Sequence, residues 1–597
     1  QLHLRYAGTD TSLIIPIEAK LPARMSAERK AATLKTWRKK FEQAHQARFG
    51  FIDAKKTLTI EALSVECVGG GAKLNERKRT KTSKPLPRAT EKVRFYSQGV
   101  WHEARVYLRE QLGIGHKIKG PALIIEPHQT ICVEAGWRAE ITPRNHIVLA
   151  RVTPLQRVSP VGTKADPVML EIFNNLFMSI AEQMGVALQN TASSVNIKER
   201  LDFSCAIFDA QGNLVANAPH IPVHLGSMDG SVAAIIRLNK GRIRPGDVFA
   251  LNAPYNGGTH LPDVTVCTPV FDAKQKQILF WVAARGHHAD IGGLAPGSMT
   301  PRATHIEEEG VYFDNVRVVD RGRFLEEDVR ALLTGARYPA RNPDQNIADL
   351  KAQIAANEKG ATLLRKMVED FSLPTVRAYM GHVQDNAAES VARLISRLHD
   401  CEFETITDQG SRIHVAIRVD HKRRRATIDF SGSSPQQENN FNAPEPVTRA
   451  AVLYVFRVLV DDDIPMNAGC LRPLNIIIPK GSMLSPIYPA AVVAGNVETS
   501  QNVTDTLFGA LGALGSAQGS MNNLTFGNAR TQYYETICSG APAGPDFNGA
   551  SAVHTHMTNS RLTDPEILEF RFPVVLEDFH IRRGSGGKGQ YCAGDGV

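Results

Sequence analysis

The chain has 597 residues, of which 43% are hydrophobic and 22% charged, and a net charge of +8 at pH 7. That length exceeds one hydrophobic core and predicts roughly two to four domains. The composition excludes a disordered chain. The charge excess is too small to predict a nucleic-acid partner, and no apolar run approaches the roughly 18 residues of a membrane span.

Eight cysteines lack any Cys-x-x-Cys spacing, and several sit in apolar runs. They read as reduced residues packed as small hydrophobes, which predicts a cytoplasmic protein. No signal peptide opens the chain. Gln1 in place of methionine, and the abrupt glycine-rich end GGKGQYCAGDGV, predict a piece of a longer polypeptide.

Residues 1–151 mix short alternating strands with one helical stretch, SAERKAATLKTWRKKFEQAHQARFG, which Ser26 would cap. The basic run KLNERKRTKTSKPLPRATEK (73–92) has no interleaved aromatics to stack bases and reads as a solvated loop. Residues 152–167, VTPLQRVSPVGTKADP, form a linker ending in Asp166-Pro167. Asp as N-cap and proline at the first position predict a helix there, with Met169, Phe173, Leu176, Ile180 and Met184 on its buried face. Strands dominate 200–290, with a turn at Asp209–Gly212. His220 and His224 lie in APHIPVHLGSM, where Pro222 argues against a helix. A helical block begins at Asn342-Pro343 and runs to about residue 398, with Ile347, Leu350 and Ile354 in register. From 410 on, strands and glycine-rich loops return, and HKRRR (421–425) reads as a hairpin turn. His554 and His556 would share one strand face and could form a second metal pair. Glu199, Arg200 and Asp202 read equally as an ion-paired strand end or a pocket wall; Asn496 and Glu498, in a glycine-bounded loop, carry the same ambiguity. The fold class is α+β and multidomain, with mixed sheets and a helical insertion at about 343–398 inside a domain spanning 168–597.

Chemistry concentrates in 256–293. His260 and Asp263 precede a β-branched run; His287, His288 and Asp290 follow the apolar run ILFWVAA. Imidazole and carboxylate at two strand ends suit a borderline divalent cation, and Gly257, Gly258, Gly286, Gly292 and Gly293 let the backbone turn closely around it. The plainer reading, hydrogen-bonded core histidines, fits the spacing as well. GSGGKG (584–589) lacks the phosphate-loop spacing, and no G-x-G-x-x-G follows a clear strand, so no nucleotide site is expected.

Long segments resemble the hydantoinase B/oxoprolinase family, and within it the ATP-dependent 5-oxoprolinases. They are NIKERLDFSCAIFDAQGNLVANAPHIPVHLGSM (196–228), RPGDVFALNAPYNGGTHLPDVTV (244–266), ARGHHADIGGLAPGSM (284–299), HTHMTNSRLTDPEILEFRFPV (554–574) and RRGSGG (582–587). QARFGF (47–52) and GPALIIEPHQTICVEAGW (120–137) resemble the C-terminal part of the family's hydantoinase A half. The resemblance implies a hydantoinase A-like region at 1–151 and a hydantoinase B-like domain at 168–597. It implies ATP-dependent hydrolysis of 5-oxo-L-proline (pyroglutamate) to L-glutamate, as in glutathione-cycle metabolism, with ATP and Mg bound by an A-type region outside this chain. The family's acetone carboxylase members hold a divalent metal in the equivalent subunit. Their pattern maps onto His260, Asp263 and His287 as ligands of Mn, Zn or a similar ion. His288 and Asp290 would then support the ligands or act as acid and base. A homo-oligomer is expected, with neither nucleic acid nor membrane as partner. The rival readings are an ATP-dependent N-methylhydantoinase, an acetone or acetophenone carboxylase-like enzyme, and a non-catalytic scaffold for the A half.

Overall fold

The computed structural model describes residues 1–7, 12–17, 26–49, 52, 54, 56–65, 80–82, 84–97, 99–153, 162–461 and 464–597. Cys67, residues 73–79 and 83 of the basic run and half of the linker lie outside them. The chain divides into two compact units, Gln1–Ser64 with Val161–Val597, and Val65–Pro160. The region read as 1–151 therefore contributes to both units.

Among its described residues the smaller unit is built on two small sheets and one short 3-10 turn, Arg109–Gln111. Four strands, Glu91–Ser97, Val100–Leu108, Ala122–Glu126 and Gln129–Val133, form one sheet; Lys117–Lys119, Trp137–Ile141 and Ile147–Arg151 form another. Alternating residues such as Ile118, Ile124, Val133 and Ile141 point into its small core.

In the larger unit the helix signals are local and behave as local chemistry dictates. Arg29 N donates to Ser26 Oγ at 3.3 Å at the start of Ala27–Phe49. Asp166 Oδ1 accepts from Met169 N at 2.9 Å and Pro167 opens the helix Pro167–Thr191. Asn342 caps Pro343–Phe371 by accepting from Gln345 N at 3.2 Å. That helix breaks at Ser372, whose φ is 74°, before Leu373–Ile395. The buried face of Pro167–Thr191 carries Phe173, Phe177, Ile180 and Met184, while Leu176 is only half-buried. It packs on Pro343–Phe371 so closely that a Cβ at Gly360 would meet Met184 Sδ at 2.4 Å.

The site is positioned by a seven-stranded antiparallel sheet. Its spatial order is Leu214–Asn217, Phe203–Phe208, Ile278–His287, Asp263–Phe271, Val248–Leu251, Val316–Asp320, Arg323–Phe324. Phe280, Val282 and Ala284 face the long helices. Trp281 and Ala283 face the opposite layer, built on the helix Met228–Leu238. Both faces are buried, so the strand ILFWVAARGH reads as a continuous apolar run without alternation.

Three local expectations are corrected. Pro222 does not prevent a helix; it begins a single helical turn, Pro222–Leu225, at the position where a missing N–H is harmless. His554 and His556 are in no strand: His556, at φ 54°, turns to Asp505 at 3.2 Å, so the two do not form a pair. Asn496 and Glu498 lie in a π-helical turn, Gly495–Thr499, rather than a loop. Two helices, Glu445–Val458 and Ser500–Leu511, also interrupt the C-terminal strands. Among the described residues no helix is long and apolar enough to cross a membrane.

Candidate functional site

Asp263 begins one strand and His287 ends its antiparallel neighbour, and the register places the two directly opposite each other. Cross-strand partners share a face, so residues 24 positions apart in sequence meet here. His260 lies three residues before Asp263, with its Nε2 3.2 Å from Asp263 Oδ2; its ring centroid is 5.0 Å from that of His287. The turn is held by close approach of backbone: a Cβ at Gly258 would meet the Asn252 carbonyl at 2.3 Å. The sequence-predicted trio therefore converges, and all three side chains are buried.

Four further residues complete the cluster. His224, from the turn that Pro222 opens, places Nε2 3.0 Å from Asp263 Oδ1. Asp202 lies 3.9 Å from the same nitrogen, and its carboxyl is pushed up by burial against the pull of Arg200 and His224. The Asn496 amide is 3.3 Å from His260 Nε2. Tyr534 stacks on His287 at 4.5 Å and 9°. Of these, the sequence singles out His224 as the second histidine of APHIPVHLGSM, Asp202 and Asn496 only as ambiguous polar residues, and Tyr534 not at all.

Behind Tyr534 lies Arg200, its guanidinium 4.8 Å from the ring centroid. Arg200 is fully buried. It donates to Glu535 Oε1 at 2.7 Å, to Thr536 Oγ1 at 2.8 Å and to the Tyr534 carbonyl at 3.2 Å. Arg200, Tyr534 and His287 thus form a layered stack that fixes the imidazole. On the other side, buried Arg285 donates to Thr265, Ser227 and Ser231 and lends positive charge to Asp263.

The electrostatics follow. Burial would raise the Asp263 carboxyl, but His224 and His260 hold it well below the usual carboxylate range. Burial, with His260 beside it, holds His287 well below the usual imidazole value, so it is neutral. Its Nδ1 lies between the His288 carbonyl at 3.0 Å and the Asn196 amide nitrogen at 3.1 Å. Its Nε2 is buried without a hydrogen-bond partner, as is His260 Nδ1.

His288 and Asp290 sit apart from this centre. The two ring nitrogens of His288 contact Asn346 Nδ2 at 2.9 Å and Gln353 Oε1 at 3.3 Å. Asp290 pairs with Arg341 Nη1 at 2.8 Å and accepts from the backbone N–H of Gly292, Gly297 and Arg341 at 3.0 Å each. They anchor the turn that follows His287.

Among the described residues no three His, Cys, Asp or Glu side chains already form a metal-holding group. The donor chemistry nevertheless suits a divalent cation: neutral imidazole with a buried, unpartnered Nε2, whose other nitrogen faces a carbonyl, beside an ionised carboxylate.

The sequence profile of the hydantoinase B/oxoprolinase family matches residues 166–597, and that of the hydantoinase/oxoprolinase C-terminal domain matches residues 16–149. The chain belongs to the hydantoinase B/oxoprolinase family. It is 44% identical over 620 residues to 5-oxoprolinase 1 of Arabidopsis thaliana, covering 100% of this chain and 48% of the relative. It is 42% identical over 608 residues to 5-oxoprolinase of Dictyostelium discoideum, covering 100% of this chain and 46% of that one. The chain thus spans about half the length of the curated relatives it matches. Its fold is similar to that of ATP-dependent caprolactamase from Pseudomonas jessenii, with a TM-score of 0.64 and 24% identity over 72% of this chain and 77% of the other.

Proposed function

We propose that this chain is the ring-opening part of an ATP-dependent 5-oxoprolinase, which hydrolyses 5-oxo-L-proline to L-glutamate. The observation that carries the reading is the buried His260–Asp263–His287 cluster, in a chain matched end to end by proteins named 5-oxoprolinase. A lactam resists water because its amide is resonance-stabilised. Phosphorylating the ring oxygen makes it a better electrophile; that step, with ATP and Mg, belongs to an A-type region outside this chain. Water then adds to the ring carbon, the C–N bond breaks as the nitrogen takes up a proton, and a second water hydrolyses the resulting acyl phosphate to the carboxylate and free phosphate.

His260, Asp263 and His287 would hold the divalent metal, which when bound supplies Lewis acidity toward the ring carbon or its attacking water. The chain's own residues prepare the place. The His287 ring is held at Nδ1 by the His288 carbonyl and the Asn196 amide, and in its plane by the stack on Tyr534 and Arg200. Burial of every member excludes bulk water, which protects an activated ring from loss. His288 and Asp290 support this centre by holding the backbone beyond His287.

The test is His260→Ala in the complete enzyme, with phosphate and glutamate measured in parallel and circular dichroism as the folding control. Glutamate formation should vanish, while some substrate-dependent phosphate release persists, now uncoupled. Wild-type glutamate output from the folded variant would show that His260 is structural.

A further inference from the structure

His287 is approached from a second side. The amide of Asn196 lies 3.1 Å from its Nδ1 and is buried, yet Asn196 also lines a cavity of about 290 Å³. Ala289, two residues beyond His287, lines it too. Ligand pockets start at about 300 Å³, so this one suits a single small ring with its substituents rather than a nucleotide.

The outer wall is the tip of the hairpin formed by Asn523–Gly527 and Gln532–Thr536. The tip carries Arg530, and its backbone is fixed: Asn528 Oδ1 accepts from Arg530 N at 2.8 Å and from Thr531 N at 3.0 Å. Gln532 Nε2 closes onto the Asn528 carbonyl at 3.0 Å. The same strand runs inward to Tyr534, the ring stacked on His287. The cavity's other arginine, Arg571, pairs with Glu199 at 3.0 Å. Arg530 has no ion-pair partner among the described residues, and no Asp or Glu lines the cavity. A small cavity beside the buried cluster therefore carries an uncompensated guanidinium on a rigid turn. A neutral lactam has no use for that charge; a carboxylate does, because guanidinium binds it through two parallel hydrogen bonds.

We propose that this cavity is the subsite for the substrate's carboxylate, and that Arg530 selects a lactam that bears one. The inference rests on the proposed function, which supplies a five-membered lactam acid as substrate. The ring points toward Asn196 and the cluster, and the carboxylate toward the hairpin tip. A phosphoryl oxygen offers the same oxyanion chemistry, so the experiment separates the two.

Binding of 5-oxoproline, 2-pyrrolidinone and inorganic phosphate is measured by calorimetry on the wild-type protein, Arg530→Ala and Arg530→Lys. 2-Pyrrolidinone is the same ring without the carboxylate. Arg530 is exposed at a hairpin tip, so neither substitution threatens the fold. The wild type should favour 5-oxoproline over 2-pyrrolidinone by about tenfold, the value of one hydrogen bond to a charged group. That preference should disappear in Arg530→Ala and return in part in Arg530→Lys. A preference unchanged in Arg530→Ala, or absent from the wild type, overturns the subsite. So does phosphate binding that is lost in Arg530→Ala while the lactam preference stays, because the charge then serves a phosphoryl group. Glutamate formation by the complete enzyme reports separately. An Arg530-dependent preference without glutamate sinks the activity and leaves the subsite; glutamate with an unchanged preference sinks the subsite alone.

Discussion

Replacing Arg200 by methionine should destabilise the larger unit by about 3–5 kcal/mol, the usual result of removing one partner from a buried ion pair. The structure supplies the reasons. The guanidinium is 0% exposed and Glu535 is 5% exposed, so the stranded carboxylate has little recourse to water. Thr536 and Ser560 lose a donor at 2.8 and 3.4 Å. Tyr534 loses its cation but keeps an alkyl chain against its face. The pair is not inherently strengthening, because two charges had to be desolvated to form it. The double variant Arg200→Met/Glu535→Leu removes the stranded Glu535 charge, leaving only Asp202, 3.6 Å from the guanidinium in the wild type, without its cation, and should recover about 2–3 kcal/mol of the loss. Denaturant unfolding of the wild type, both single variants and the double variant, followed by circular dichroism, measures the cycle. A cost below about 1 kcal/mol for Arg200→Met, the range of exposed pairs, would refute the burial reasoning. So would a double variant no more stable than the sum of the singles.

Burial holds the Glu309 carboxyl up at about 8, against 4.5 for the ordinary group, although it accepts from Val492 N and Val493 N at 2.8 Å each. An acid raised on folding stabilises only while protonated, so its contribution is complete below the lower value and is lost as pH climbs through the upper one. Thermal unfolding of Glu309→Gln should vary less with pH across that window, gaining on the wild type as pH rises; parallel profiles would remove Glu309 as the cause. Gly258→Ala puts a Cβ 2.3 Å from the Asn252 carbonyl and 2.7 Å from that of Ala253, both backbone, so the turn carrying His260 must shift. It should cost about 1–3 kcal/mol and weaken metal binding in step; unchanged affinity would show that the turn does not position His260.

What the sequence disclosed was what neighbours along the chain decide. Asp166-Pro167 and Asn342-Pro343 announce helices because a cap is satisfied within three residues. His260, Asp263 and His287 were legible because they border two adjacent strands of one antiparallel pair. Asn196 and Tyr534 were not legible as parts of the site, and Asn496 stood out only as an ambiguous polar residue. Tyr534 reaches His287 from a strand nearly 250 positions on, and such a contact leaves no periodicity. His224 was seen, but Pro222 was given the wrong weight: it opens the turn that aims the histidine at Asp263. His288 and Asp290 share the motif of His287, yet one turn of backbone sends them to Asn346, Gln353 and Arg341. Of the two roles that adjacency in sequence suggested, supporting the ligands or acting as acid and base, these contacts favour the first.

The most direct test of the central site is metal content. The purified wild-type protein, dialysed and then titrated with Mn or Zn, should retain one divalent ion per chain by elemental analysis. His260→Ala and His287→Ala should retain far less, because two remaining ligands cannot complete the shell. Full glutamate-forming activity in wild-type enzyme stripped of divalent metal in the B region, or undiminished metal in both histidine variants, would contradict the account.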